Sequence, residues 1–160
     1  MSKIQMTKAP EQEHISVQQQ DFDLAAEYQA LTANNQSDGA VVHFVGLVRD
    51  NNLSRQVQAL ELEHYPAMTS KALSELVDEA RQRWHLGRVR LIHRVGKLNL
   101  GEQIVFVGVT SKHRGSAFAA CEFLMDQLKT RAPFWKKEHT QQGAHWVEAR
   151  ESDRVKAGEW

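Results

Sequence analysis

Apolar residues recur in two rhythms along this 160-residue chain. A period of two marks a strand lying on a core, and a period of 3.6 marks a helix. Residues 14–17 read as a short strand. Leu24, Tyr28 and Leu31 then fall at helical spacing behind Asp21, which predicts a capped helix through Leu31 with those three side chains inward. Residues 34–39, NNQSDG, form a loop. Residues 40–48 are rich in β-branched side chains and predict a strand. A polar loop follows from Arg49 to Arg55. Over residues 57–65, Leu60, Leu62 and His64 alternate with Glu61 and Glu63, the pattern of a half-buried strand. Thr69 is placed to cap a helix through Trp84, with Ala72, Leu73, Leu76, Val77, Ala80 and Trp84 inward and Gly87 beyond its end. Residues 89–95 alternate Val89, Leu91, His93 and Val95 with basic positions. Residues 104–110 are almost wholly apolar, as in a central strand.

The next stretch, residues 111–138, organises the chain: SKHRGSAFAACEFLMDQLKTRAPFWKKE. It opens with a polar turn from Ser111 to Gly115. A helix over residues 116–130 follows, with Ser116 as its N-cap and Ala117, Cys121, Leu124 and Leu128 on its apolar face. Pro133 stops it, because the residue before a proline is driven out of the α region. Residues 134–139 and 144–149 flank Thr140-Gln141-Gln142-Gly143 as a hairpin, and a charged tail runs on from Glu151. Antiparallel pairs with two or three helices packed on them make an α+β fold, not a doubly wound parallel sheet. With no repeat, linker or low-complexity tract, the chain reads as a flexible N-terminus, residues 1–12, and a single domain, residues 13–160.

Charge sharpens this picture. Twenty basic and twenty acidic residues leave no net charge, which disfavours a broad nucleic-acid surface. Yet residues 111–138 hold Lys112, Arg114, Lys129, Arg131, Lys136 and Lys137 against Glu122, Asp126 and Glu138. Cations just ahead of a helix, where backbone N–H groups are free, suit an oxyanion or phosphate. A solvated basic surface is the ordinary explanation. The Pro133-Phe134-Trp135 corner between Lys129 and Lys136 favours a walled pocket instead. Lys136 and Glu138 share a strand face with Phe134, and alternation turns Lys137 to the other face. Lys129 either serves the dipole at its helix end or is desolvated by the aromatic corner, which would make it a base or nucleophile. Cys121, on the apolar helix face, reads as a core residue.

The eight histidines are scattered, and no metal-binding or nucleotide-binding motif is present, so neither a metal nor any other cofactor is expected. One cysteine excludes an internal disulfide framework and fits a reducing, cytoplasmic setting. No apolar run spans a bilayer, and the N-terminus has no apolar signal region.

The motifs themselves carry a resemblance. Gly46-Leu47-Val48-Arg49, Leu62-Glu63-His64-Tyr65-Pro66, Val107-Gly108-Val109-Thr110-Ser111, His113-Arg114 and the long run from Leu128 to Glu138 are similar to those of the large, catalytic subunit of molybdopterin synthase. The likeness covers about Asp38 to Arg150. It implies an α/β-hammerhead-like fold with a second small α+β subdomain. It also implies sulfur transfer from the C-terminal Gly-Gly thiocarboxylate of a small ubiquitin-like subunit to cyclic pyranopterin monophosphate, giving the dithiolene of molybdopterin. The implied assembly is a central homodimer with one small subunit at each end. The implied site comprises Arg49, His113, Arg114, Lys129, Lys136, Glu138 and Arg150, with Lys137 counted beside them and Lys129 and Lys136 as the catalytic pair. The loop after Arg49, Asp-Asn-Asn-Leu-Ser-Arg, departs from relatives that carry a histidine and a glycine there. Without the resemblance, the same cations would equally suit a non-enzymatic module that binds a phosphorylated small molecule or nucleotide.

Overall fold

The computed structural model describes residues 12–52, 55–147 and 150–160. The expectation of a loose N-terminus falls, except for Gln12, outside the described residues, as do positions 53, 54, 148 and 149. The architecture is α+β. Strands β1 (Glu13–Gln18), β2 (Ala40–Leu47), β6 (Val89–Arg94) and β8 (Gln103–Ser111) form one sheet in the order β1-β6-β8-β2. Only the β1–β6 pair in it is parallel. Strands β5 (Ala59–His64), β7 (Gly96–Asn99), β9 (Phe134–Thr140) and β10 (Gly143–Val147) form a second sheet, antiparallel throughout, in the order β10-β9-β5-β7. A two-residue ribbon, β3 (Asn51–Asn52) with β4 (Arg55–Gln56), lies in the segment expected to be plain loop.

Helices α2 (Pro66–Arg83) and α3 (Arg114–Arg131) cover one face of the first sheet. Leu73, Leu76, Val77 and Ala80 of α2, with Ala117, Cys121, Leu124 and Leu128 of α3, pack on Val89, Leu91, Val105, Val107 and Val109. Helix α1 (Leu24–Thr32) covers part of the other face through Leu31, against Ile92 and Phe106. Gly108 permits that approach, since a Cβ there would sit 2.7 Å from the Leu31 side chain. Strand β8, apolar on both sides, is therefore central, as its sequence predicts. Helix α4 (Glu151–Gly158) closes the chain on α3: the Gln127 amide donates to the Ala157 carbonyl at 2.9 Å. Among the described residues no helix is long and apolar enough to cross a membrane.

Three helix starts differ from expectation, each for a local reason. Asp23, not Asp21, caps α1, its carboxylate accepting from the amides of Ala25 and Ala26. Asp21 instead accepts from the Phe22 amide at 2.8 Å and the Gln103 side chain at 2.8 Å. As a consequence Leu24 and Tyr28 are exposed and only Leu31 is buried. Helix α2 begins at Pro66, whose fixed φ suits a first helical position. Thr69 lies inside that first turn, fully buried, its hydroxyl donating to the Tyr65 carbonyl at 3.0 Å. Helix α3 begins two residues early, at Arg114, with His113 rather than Ser116 at the cap position. Strand β8 stays paired through Ser111, opposite Ala40, so only Lys112 and His113 remain to turn the chain.

Candidate active site

Strand β9 builds the site. Its alternation places Phe134, Lys136 and Glu138 on the inner face of the second sheet, opposite His64, Leu62 and Leu60 of β5. That face shares a core with Val48, Val95, Leu98 and Ile104. Lys136 and Glu138 are consequently drawn towards the interior: Lys136 is half-buried, and Glu138 is only 4% exposed. Lys129, on the last turn of α3, comes to the same place from the other sheet's helix layer. Arg49 follows β2, and Arg150 caps α4.

These residues line one cavity of about 470 Å³. Its charged walls are Arg49, Lys129, Lys136 and Arg150 against Glu138 and Asp153, which leaves two formal positive charges in excess. Leu47, Val48, Val57, Leu60, Ile104 and Phe134 supply apolar surface. A second compartment, about 300 Å³, adjoins it through the same two lysines and Arg49. It is walled by Phe44, Val45, Val105, Met125, Leu128 and Phe134, with His93 beside them. A carboxylate or phosphate meets four cations here, and an apolar ring meets the side chains between them.

The lysine with a depressed pKa is Lys136. Burial lowers it first, then the neighbouring Lys129 and Arg150, while Asp153 and Glu138 pull the other way. Desolvation, one of the two alternatives the sequence left open for Lys129, acts on the strand lysine Lys136. Lys129 projects from the helix end and is exposed. A partly desolvated lysine with a lowered pKa gives up its proton more readily than an exposed one, which suits it to act as an acid, a base or an amine.

The remaining expected residues stand elsewhere. Lys137 lies on the opposite face of β9, its ammonium 4.6 Å from the centre of the Trp146 ring, and lines neither compartment. The reason is strand alternation, which cannot bring Lys136 and Lys137 to one face. His113 and Arg114 are exposed at the N-terminal end of α3. Fifteen residues of helix at about 1.5 Å each separate Arg114 from Lys129 by roughly 22 Å, so they do not share this chain's cavity. Cys121 is 5% exposed, and its thiol donates weakly to the Val107 carbonyl at 3.8 Å. Burial and the Glu122 carboxylate push it up to about 12, so it has no thiolate to offer near neutrality.

Two residues in the walls were not singled out from sequence. Asp153 arrives with α4 and was hidden in a charged tail. His93 was visible as the one polar member of the apolar stripe Val89, Leu91, His93, Val95. It is 8% exposed and stacks on Phe134, ring centres 3.9 Å apart and planes 18° apart.

Comparison with known proteins gives this geometry a family. Residues 17–131 match the family described as MoaE protein. A molybdopterin synthase catalytic subunit from Escherichia coli K12 is 61% identical over 146 residues, covering 91% of this chain and 97% of its own. The structure of a molybdopterin biosynthesis MoaE protein from Burkholderia ambifaria superposes with a TM-score of 0.79 at 51% identity, over 92% of this chain and 97% of its own. The X-ray structure of molybdopterin synthase from Staphylococcus aureus does so with a TM-score of 0.77 at 30% identity, over 84% of this chain and 96% of its own. The chain with the paired lysines at the junction of its two sheets belongs to the MoaE protein family, the family of molybdopterin synthase catalytic subunits.

Proposed function

We propose that this chain moves sulfur from the C-terminal thiocarboxylate of a small ubiquitin-like subunit onto cyclic pyranopterin monophosphate, making the dithiolene of molybdopterin, with Lys129 and Lys136 as the reacting pair. The observation that carries the proposal is the convergence of those two lysines, with Arg49 and Arg150, on one cavity with an apolar extension. Arg49 and Arg150 hold anionic groups of substrate and tail. Lys136, its pKa lowered by burial, serves as general acid–base or stabilises the tetrahedral oxyanion. Lys129, exposed on the helix end, approaches the acyl carbon or its leaving sulfur. Buried Glu138, two residues along the same strand face, holds the Lys136 side chain in position.

His113 and Arg114 take part through a second copy of the chain. The length of α3 keeps them from their own Lys129, whereas a homodimer can lay one protomer's helix start across the other's cavity. The free amides of that helix start suit the substrate phosphate. Sulfur does not pass through Cys121, so the carrier is the partner's flexible tail. Two glycines let an extended backbone enter a narrow compartment. We place the reaction in the cytoplasm, where a lone reduced cysteine is at home.

The test is single-turnover product formation with the partner's tail intact or shortened by its last two glycines, read beside a binding titration. The shortened partner should dock through its globular surface and yield no dithiolene. Equal product from the shortened partner, or from free sulfide at the same concentration, refutes tail delivery.

A further inference from the structure

The smaller compartment has a chemical asymmetry. Its polar side chains are Arg49, Lys129, Lys136 and His93. Arg49 and the protonated lysines offer only donors, so the histidine supplies the side-chain acceptor in that wall that does not depend on a lysine losing its proton. Strand β6 carries His93 in register with Val105 of β8, beside the last turn of α3 that brings Leu128 and Lys129 to the same compartment. There the apolar stripe that packs α3 through Val89 and Leu91 reaches the cavity instead.

The ring is fixed in both rotation and tautomer. Phe134 stacks on one face at 3.9 Å. Nδ1 lies 2.9 Å from the Arg94 carbonyl, and a carbonyl can only accept, so Nδ1 carries the proton. The neutral ring is therefore left with its lone pair on Nε2. No described residue hydrogen-bonds that atom. This side chain, more than nine-tenths buried and anchored to backbone through Nδ1, lines a compartment otherwise walled by cations and hydrocarbon.

We propose that His93 is a substrate-binding residue, its Nε2 accepting a hydrogen bond from a ring or exocyclic N–H of the pterin. This rests on the function proposed above. The cations hold the anionic substituents of such a ligand and repel its N–H edge. The imidazole takes that edge and discriminates against heterocycles that lack a donor there. The acceptor is maintained across the physiological range. Burial, with Lys136 of β9, His64 of β5 and Lys129 of α3 all facing the ring, lowers His93 to about 4, against the partial opposition of the Arg94 carbonyl. A protonated ring would offer a donor to a donor.

The experiment compares His93→Phe, which keeps a ring on Phe134 without an acceptor, with His93→Gln, whose carbonyl reaches close to the Nε2 position. Three quantities are read for each: pterin affinity by direct titration of the chain, KM and kcat in the complex with thiocarboxylated partner, and affinity for the intact-tailed partner. His93→Phe should weaken pterin binding and raise KM by roughly tenfold or more, the usual cost of leaving one buried polar group unmatched. His93→Gln should stay within about threefold, and partner affinity should not move in either. Unchanged pterin binding in His93→Phe overturns the proposal. Equal losses in both variants overturn it in favour of a packing role. A loss confined to partner affinity assigns the acceptor to the tail backbone instead, which also overturns it. If the wild-type complex makes no dithiolene, the function fails on its own account, and the titration still decides whether His93 binds the pterin.

Discussion

The buried imidazole also makes the stability of this protein fall on the acid side of neutrality, by an amount that can be worked out. His93 has an ordinary value of 6.5 and sits at about 4 in the folded chain. The unfolded chain thus binds a proton here between those two values and the folded chain does not. Stability contributed by the neutral ring is fully present above pH 6.5 and is lost as pH falls towards 4. A shift of about 2.5 units corresponds to about 3 kcal/mol in all, and about 2.4 kcal/mol of it is lost between pH 7 and pH 4.5. For a domain of this size that is roughly a 5–10 °C drop in Tm. Carboxylates elsewhere also titrate in this window, so the useful quantity is the difference between wild type and His93→Phe. Urea unfolding at pH 7, 5.5 and 4.5 supplies it. The variant should lose about 2 kcal/mol less than wild type across that range. The ring Cε1 proton of His93 should keep its neutral chemical shift down to about pH 5. A wild-type minus variant difference that stays constant within about 0.5 kcal/mol from pH 7 to 4.5 would refute the argument, and so would an NMR titration midpoint near 6.5.

Other outcomes follow from the same geometry. Lys136→Ala should lower single-turnover sulfur transfer by about 10²–10⁴-fold while the far-ultraviolet circular dichroism and partner binding stay as in wild type; a rate within about threefold would remove Lys136 from the chemistry. Lys129→Ala should reduce the same rate to a comparable degree, and retention of near-wild-type turnover would do the same for Lys129. Lys137→Ala removes only a cation from the face of Trp146, so it should change turnover less than about threefold and stability by less than about 1 kcal/mol, checked by the same assay and by urea unfolding. Cys121→Ala should retain full sulfur transfer with a small loss of stability from the methyl-sized void, about 1 kcal/mol; a folded but inactive variant would mean that sulfur does pass through this thiol.

Most of the fold was legible because its elements are long and strongly periodic. Strand β8 is apolar at nearly every position because both of its faces are covered, and a run of that kind has few alternatives to a central strand. The inward positions of α2 and α3 follow for the same reason. What sequence did not supply are the short pairings and the caps. The four residues of β7 are a strand because they pair with β5, Leu98 opposite Leu60, a contact made at a distance in sequence. Asp21 and Asp23 are chemically equivalent N-caps. The choice between them is made by Gln103, eighty residues away, whose amide claims Asp21. Ser116 is a good cap by type, but the register of β8 against β2 starts the helix before the chain reaches it.

The sequence could name candidate residues for a site but not where each of them stands. Basic residues close together in a 28-residue window suggest one cluster, yet the window contains an 18-residue helix and a strand. Along α3 neighbours in sequence become strangers in space: His113 and Arg114 lie one helix length from Lys129. Along β9 adjacent residues diverge again, Lys136 inward and Lys137 onto Trp146. Conversely, Arg49 and Arg150 are a hundred residues apart and line one cavity, because β2 ends and α4 begins beside it. That cavity lies at the junction of the two sheets, beside the last turn of α3, in a gap that apolar side chains alone do not fill. A gap at a sheet-to-sheet corner lets charged side chains reach an interior point from three directions while their stems remain packed. Lys136 can then be desolvated without being sealed off, and that condition is what an exchangeable lysine proton requires.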